Sequence, residues 1–406
     1  MSLLYRFIQK EDFIFLMMGF FVFSSMSSVI LIDYLHFPIA LPELLLLPFA
    51  YLLKNIISTI KIYKSDISKV LFLIVLWLII GIINGEMTLI SMLSYSRSWL
   101  YIILLMIAFK RDNDINNSHL LFLSFGSLIG WLIASRLNFE NIMQNVLNSE
   151  GEVDLCTYGT MLSVPIFLSL TMKRGLYKMF AIGFVILIIT MLLANLRRLI
   201  AVGLISVFLS LFFILLKDKR KLPVYLLVGS IIVFVFLSLL PSIEDFVANV
   251  SPEMHARTFR RLGNMLETGS TGTDGDDVRK GNIVYAMDNI FDYVLPKGMI
   301  GKTGDVSYKV FAPFIDFPMM MLFYLFGFIV TIFILLRMIS VLLRNFYKYS
   351  RYSDETSMVS CITIVVMFVM LFLEGTFLYF PYAAPLTGVL LGRAIRNTKN
   401  PKIIIR

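Results

Sequence analysis

The sequence predicts an all-α polytopic membrane protein of about twelve transmembrane helices, with one large loop containing short helices. Three observations predict it. The chain is 58% hydrophobic and only 16% charged, where soluble domains sit near half apolar and about a quarter charged. The apolar residues come in runs of about twenty, the length a helix needs to cross roughly 30 Å of hydrocarbon. The basic residues collect in short turns between those runs, as topology signals do. That distribution sets aside nucleic acid as the partner implied by a net charge of +9, and makes membrane lipid the surroundings.

The runs place spans at 13–32, 38–60, 68–84, 89–109, 119–135, 157–172, 178–195, 198–216, 222–241, 314–336, 357–373 and 379–395. Each is expected to be a helix, because backbone exposed to lipid must satisfy its own hydrogen bonds. The chain then divides into nine spans over 1–241, a loop over 242–313, and three spans with a tail over 314–406. The first apolar run lacks a small-residue cleavage site, so no cleavable signal peptide is expected. Cys361 lies in an apolar run and Cys156 at a loop edge, which argues against a disulfide framework.

One set of connections holds 24 of the 36 Lys and Arg residues, among them Lys10, Lys64, Lys110, Arg111, Lys173, Arg174, Lys217, Arg337, Lys348, Arg351, Arg393 and Arg396. The short turns on the other side, near 33–37, 85–88 and 374–378, hold none. The positive-inside rule puts the basic set, and with it both termini, in the cytoplasm.

The 242–313 loop is the one large extramembrane segment and sits on the outer side. Ser251 is a plausible N-cap, Pro252 suits the first helical position and Glu253 the positive helix end. Phe259, Leu262 and Leu266 continue at helical spacing, and a second helical stretch runs from about Asp277 to Leu295, with Ile283, Met287, Ile290 and Val294 as its stripe. Between them Thr268–Asp277 reads as a linker rich in Gly, Thr and Asp. Transporters show near-matched halves and short connections, so a long loop on one face reads as an active-site cover. Arg257, Arg260, Arg261 and Arg279 in this loop are candidates for gripping a phosphate-rich group, because guanidinium forks match phosphate oxygens in pairs. The plainer alternative is a solvated surface facing lipid headgroups. Asp274, Asp276 and Asp277 lack the spacing and terminal Glu of a calcium loop.

Charges within the spans add to this list. Arg97 lies eight residues into its span; an Arg so placed costs about 2.5–3.5 kcal/mol on insertion scales and normally faces a cavity or a partner. Arg197 and Arg198 are adjacent at an outer turn, where the positive-inside rule disfavours them. Arg198 is the stronger functional candidate. Glu43 and Glu374 are near the outer surface, where each could orient an arginine, accept a proton or be an interfacial carboxylate. His255 is the one histidine of the large loop, with His36 in a short outer turn and His119 at the cytoplasmic edge. No Ser-His-Asp order, glycine-rich phosphate loop or Cys/His metal pattern is present.

Three stretches resemble the O-antigen polymerase and O-antigen ligase superfamily of bacterial envelope assembly. Ala194-Asn-Leu-Arg-Arg-Leu-Ile-Ala-Val is similar to its Ser-Arg-small turn before an apolar helix. Arg279 through Tyr285 and Ala286, then Leu295-Pro296-Lys-Gly298-Met-Ile-Gly301, resembles its arginine, aromatic and Pro-x-Gly-x-Gly ending. Asp305 to Phe314, leading into a helix that contains Gly327, resembles its return to the membrane. Ligases of the superfamily carry a histidine after the Pro-Gly segment, where this chain has Asp305 and Tyr308. That departure favours a polymerase over a ligase and leaves the base unassigned.

The resemblance implies a metal-independent glycosyltransferase of the bacterial inner membrane, working on its periplasmic side. Its substrates would be undecaprenyl-diphosphate-linked glycans, joined repeat by repeat into O-antigen polysaccharide for lipopolysaccharide. No cofactor is expected, and a chain-length regulator is left open as a partner. Cations aimed at the leaving diphosphate are the largest catalytic contribution expected, which selects Arg198, Arg257 and Arg279, with Arg97, Arg197, Arg260 and Arg261 on the substrate. The acceptor hydroxyl needs a base, for which His255, Asp305 and Glu374 stand as candidates, with Glu43 and Tyr308 lining the substrate. An O-antigen ligase and a flippase or transporter of lipid-linked oligosaccharide are the alternatives.

Overall fold

The computed structural model describes residues 10–24, 64–83, 89–110, 115–137, 161–194, 197–217, 294–298, 318–373, 376–379 and 383–398, with isolated positions between 238 and 284. Among the described residues every regular element is a helix. In chain order they are α1 (Lys10–Phe21), α2 (Lys64–Ile83), α3 (Leu89–Phe109), α4 (Asn117–Leu137), α5 (Ser163–Arg174), α6 (Tyr177–Ala194), α7 (Arg197–Leu215), α8 (Pro318–Tyr352), α9 (Glu355–Leu373), α10 (Thr376–Tyr379) and α11 (Ala384–Asn397). Asn117–Ala134 within α4, all of α8 and all of α9 are long and apolar enough to cross a membrane. Leu71–Ile83, Arg97–Phe109, Tyr177–Thr190 and Ala201–Leu215 are shorter apolar helical stretches. The expected span 38–60 and, but for isolated positions, 222–241 lie outside the described residues.

Helix α5 is at the centre, packed by α4, α6, α7 and α9. Every residue from Ser163 to Thr171 is buried, including three hydroxyl side chains. A buried hydroxyl must find an acceptor. Ser169 donates to the Ile166 carbonyl at 3.1 Å and Thr171 to the Phe167 carbonyl at 2.7 Å, so the helix supplies the partner itself. Gly175 ends α5 at φ 68°, with its N–H on the Met172 carbonyl and that of Leu176 on the Thr171 carbonyl, the paired closure of a left-handed helix cap.

Glycine pairs four apart set the two closest crossings. Gly126 and Gly130 of α4 meet α1: a Cβ on Gly130 would stand 2.5 Å from the Phe20 carbonyl oxygen, and one on Gly126 would overlap the Leu16 carbonyl. Ser127, between them, donates to the Phe23 carbonyl at 2.7 Å. Gly388 and Gly392 of α11 meet α3 in the same way, with Cβ positions 2.6 Å from the Ile102 carbonyl and 2.7 Å from that of Met106. In lipid the hydrophobic effect does not drive helices together, so close backbone contact through small residues carries the association.

The perimeter is apolar. Phe72, Val75 and Ile79 on α2, Ile182 and Val185 on α6, Leu204 and Phe208 on α7, and Ile329, Phe333 and Leu336 on α8 are exposed. So large an exposed apolar surface marks a membrane- or protein-facing region, and its wrapping of several helices fits lipid.

One end of the bundle is polar. Arg174 at the end of α5 grips Glu355 at the start of α9 with Nε to Oε1 at 2.7 Å and Nη2 to Oε2 at 2.9 Å, while its Nη1 reaches Ser118 at 2.9 Å. The hydrogen bond to Glu355 holds the Arg174 pKa above its ordinary value. Asn117 donates to Glu355 at 2.9 Å and accepts from Arg393 at 2.8 Å. Asp354 caps α9 by accepting the Ser357 N–H at 3.0 Å. Asn397 of α11 donates to Asn345 of α8 at 2.8 Å and to Ser357 at 2.7 Å. His119, buried, stacks on Phe15 at 4.3 Å with its Nε2 3.5 Å from Glu11. The starts of α1, α4 and α9 and the ends of α5, α8 and α11 therefore share this end. They border connections that the basic residues group together in the sequence.

Candidate functional site

Helix α8 is not straight. Where the sequence places a span at 314–336, the structure describes a longer helix with a break in it. The helix starts at Pro318 and runs to Tyr352, and Gly327 breaks it at φ 74°, ψ 165°. The far boundary moves because the apolar run ends at Arg337 while Val341, Asn345 and Tyr349 continue at four-residue spacing and are buried; amphipathic packing prolongs the helix past the apolar stretch.

The break has a specific cause. In a continuous helix Phe328 N–H would bond the Tyr324 carbonyl. Instead Phe328 donates to the Val294 carbonyl at 3.3 Å, and Tyr324 accepts from Lys297 N–H at 2.8 Å. One non-helical segment, 294–298, thus satisfies both partners of the lost bond. Irregular backbone among membrane helices is tolerated where protein supplies the partners. Thr331 reaches across the break to the Leu322 carbonyl at 2.8 Å. Nine residues of straight helix would separate the two by about 13 Å, so the two parts of α8 fold against each other at Gly327.

Two glycines are required at this break by conformation and by space. Gly327 has positive φ, and a Cβ on it would lie 2.8 Å from the Val294 carbonyl oxygen. Gly298 has φ 93°, and a Cβ on it would lie 2.7 Å from the Trp77 carbonyl oxygen and overlap Gly81 of α2. The Pro296-Lys297-Gly298 segment is therefore wedged between α2 and α8. Trp77 of α2 and Trp99 of α3 meet Phe326 edge-on at 4.4 Å and 5.2 Å, which holds both helices to the last turn before the break.

Arg97 is two residues before Trp99 and partly buried, as is Lys297. Lys297 thus lies beside the interrupted helix, and Arg97 belongs to the helix whose Trp99 meets Phe326. Of the other residues singled out in the sequence, Arg197 and Arg198 form the first turn of α7. His255 is partly buried, with its Nε2 3.0 Å from Glu244 Oε1. Glu43, Arg257, Arg260, Arg261, Arg279, Asp305, Tyr308 and Glu374 lie outside the described residues. Of the second helical stretch expected in the loop, Val284 is helical while Val294 and Leu295 are non-helical; the rest lies outside the described residues. The role of Val294 and Leu295 in the break explains this, because a helix could not lend its backbone to α8.

Sequence reasoning missed Glu244 and the wedge itself. For the wedge the signals were Gly327 inside an apolar run and the Pro-x-Gly pair at 296 and 298. For Glu244 no local signal exists, since it is eleven positions from His255. Among the described residues, no group of three or more His, Cys, Asp or Glu side chains is placed to hold a metal ion.

These features define, among the described residues, an all-helical protein with helices long and apolar enough to cross a membrane, one of them interrupted beside a partly buried lysine. Comparison with protein-family models, with curated proteins and with solved structures finds no match to this chain.

Proposed function

We propose that the protein is a glycosyltransferase that polymerises lipid-diphosphate-linked oligosaccharide repeats into O-antigen polysaccharide on the outer side of a bacterial inner membrane. The observation that carries the reading is the interrupted α8, with Pro296-Lys297-Gly298 wedged into it and Trp99, two residues after Arg97, against its last turn before the break. The wedge coincides with the stretch whose sequence resembles the polymerase and ligase superfamily. Ionisable groups at such positions are costly unless they serve a partner or a ligand.

In this reading the acceptor hydroxyl attacks the anomeric carbon of the donor glycan. The bond to the lipid diphosphate breaks, and the diphosphate leaves with the electron pair. Arg97, Arg198, Arg257 and Arg279 stabilise the charge that develops on it, as preorganised cations do, so no metal takes part. Arg197, Arg260 and Arg261 hold the substrate. His255 takes the acceptor proton and Glu244 orients the imidazole; Asp305 and Glu374 remain the alternative bases. Glu43 and Tyr308 line the sugar path.

The interrupted helix also favours a second reading, a transporter of lipid-linked oligosaccharide, because transporters place broken helices at their binding sites. One experiment separates the two. The lipopolysaccharide ladder is compared on a gel between the strain lacking the gene and the same strain carrying Arg279→Ala, Arg279→Lys or the unaltered gene. Collapse to a single core-plus-one-repeat band, rescued only by the unaltered gene, supports the polymerase. Loss of every O-antigen band supports a transporter or ligase and overturns these site roles. Full rescue by Arg279→Lys excludes paired guanidinium–phosphate contacts at that position.

A further inference from the structure

The polar end of the bundle contains an arginine pair that the glycosyltransferase reading does not use. Gly392 lays the last turns of α11 on the end of α3: a Cβ there would be 2.7 Å from the Met106 carbonyl oxygen and 3.1 Å from Lys110 N. Arg396 follows Gly392 by four positions, so it continues the same helix face. Its Nη1 is enclosed by the fold and has no hydrogen-bond partner among the described residues. One turn earlier Arg393 is 7% exposed and spends Nη2 on Asn117. Arg396, three positions on in the same helix, is a neighbouring like charge, and Asp354 and Glu355 are the opposing charges.

Of those two carboxylates, Glu355 and the Oδ2 of Asp354 are committed elsewhere. Both oxygens of Glu355 accept from Arg174. Asp354 accepts from the N–H and hydroxyl of Ser357 and lies 3.8 Å from Lys348 Nζ. The α3–α11 junction is thus left with two neighbouring guanidiniums and an enclosed donor that finds no acceptor among the described residues. An enclosed donor without an acceptor is unfavourable, and an anion would satisfy it.

We propose that Arg396 and Arg393 form a binding site for a phosphate group at the junction of α3 and α11. Phosphate is the anion whose oxygens match guanidinium forks in pairs. It would come from an anionic lipid headgroup or from free inorganic phosphate. The position at the basic end of an apolar bundle is where headgroup phosphates lie. Binding screens the repulsion between the two arginines and ties α11 to α3.

The test uses the purified full chain in detergent, titrated with phosphatidylglycerol, phosphatidylcholine or inorganic phosphate, with thermal unfolding and retained lipid by native mass spectrometry as readouts. The expected result is stabilisation by phosphatidylglycerol well beyond that by phosphatidylcholine. Arg396→Gln weakens it about tenfold, the loss of one charge-assisted hydrogen bond, and does not lower the melting temperature of the lipid-free protein. Equal stabilisation by inorganic phosphate, also lost in Arg396→Gln, assigns the site to the free anion. Arg396→Lys, which keeps the charge and loses the fork, gives a smaller loss and serves if Arg396→Gln does not fold. Identical responses of the wild type and both variants to all three probes overturn the proposal. The outcome is independent of the lipopolysaccharide ladder, so this site and the polymerase reading can fail separately.

Discussion

Lys297 donates its backbone N–H to the carbonyl of Tyr324, the acceptor that Phe328 would occupy in an unbroken helix, while Phe328 turns to Val294. A loop segment and a helix have exchanged partners, and both gain a fixed geometry by it. Lys297 is held beside α8 by its own backbone. Precise placement of a charged group is what a site for a charged substrate needs.

Gly327→Ala should disturb this exchange. The added Cβ meets the Val294 carbonyl, and the positive φ is unfavourable for alanine. The expected loss is about 1–3 kcal/mol, read by thermal unfolding in detergent. Gly203→Ala is the control: its Cβ would meet only Leu187 Cδ2 at 3.4 Å, and stability should stay within about 1 kcal/mol of wild type. Equal effects at the two glycines would show that the break contributes nothing particular.

Thr331→Val keeps the shape and removes the hydroxyl that bonds the Leu322 carbonyl across the break. The expected cost is about 1 kcal/mol. Amide exchange in 322–331 should accelerate, and an unchanged exchange pattern would count against the hydroxyl as a clamp.

Arg174 and Glu355 should couple strongly. They form a two-pronged pair with side chains 29% and 23% exposed, so solvent screens them only in part. A double-mutant cycle with alanine at each should give a coupling on the order of 1–3 kcal/mol. A value near zero would place this pair with ordinary surface salt bridges.

Arg97→Ala and Arg97→Lys should both leave the protein in the membrane, judged by its level in membrane fractions. Under the polymerase reading Arg97→Ala lowers polymer yield at least tenfold, and Lys recovers part of it, since charge is kept and the fork is lost. Unchanged yield in Arg97→Ala would remove Arg97 from the substrate path.

Gly126→Leu should part α1 from α4, because the new side chain would overlap the Leu16 backbone. A loss of about 1–3 kcal/mol or more is expected. The same change at Gly175, a surface cap with Tyr177 no nearer than 3.7 Å, should cost less, and only through its positive φ.

Helix class was legible in the sequence, because length and hydropathy of a run are local properties. Leu89–Phe109 matches its expected span, Asn117–Leu137 and Tyr177–Ala194 depart by a residue or two, and α1 stops at Phe21 inside the span expected over 13–32. The grouping of helix ends was legible too: basic residues mark connections whose borders the Arg174–Glu355, Asn117–Arg393 and Asn397–Ser357 contacts bring together. The glycine pairs at 126 and 130 and at 388 and 392 carried a readable spacing, but not their partners, since any helix with an open backbone would serve. The break in α8 was not legible. Gly327 permits it, yet only Val294 and Lys297, about thirty residues earlier in the chain, make it favourable by supplying the two backbone bonds. Likewise nothing near His255 points to Glu244, and nothing near Arg396 shows that Glu355 and the Oδ2 of Asp354 are already taken. Sequence determined which segments are helical and which ends go together, because those follow from local chemistry. Tertiary structure alone decided where a helix breaks and which charges are left over, because both depend on groups that only folding brings within hydrogen-bond reach.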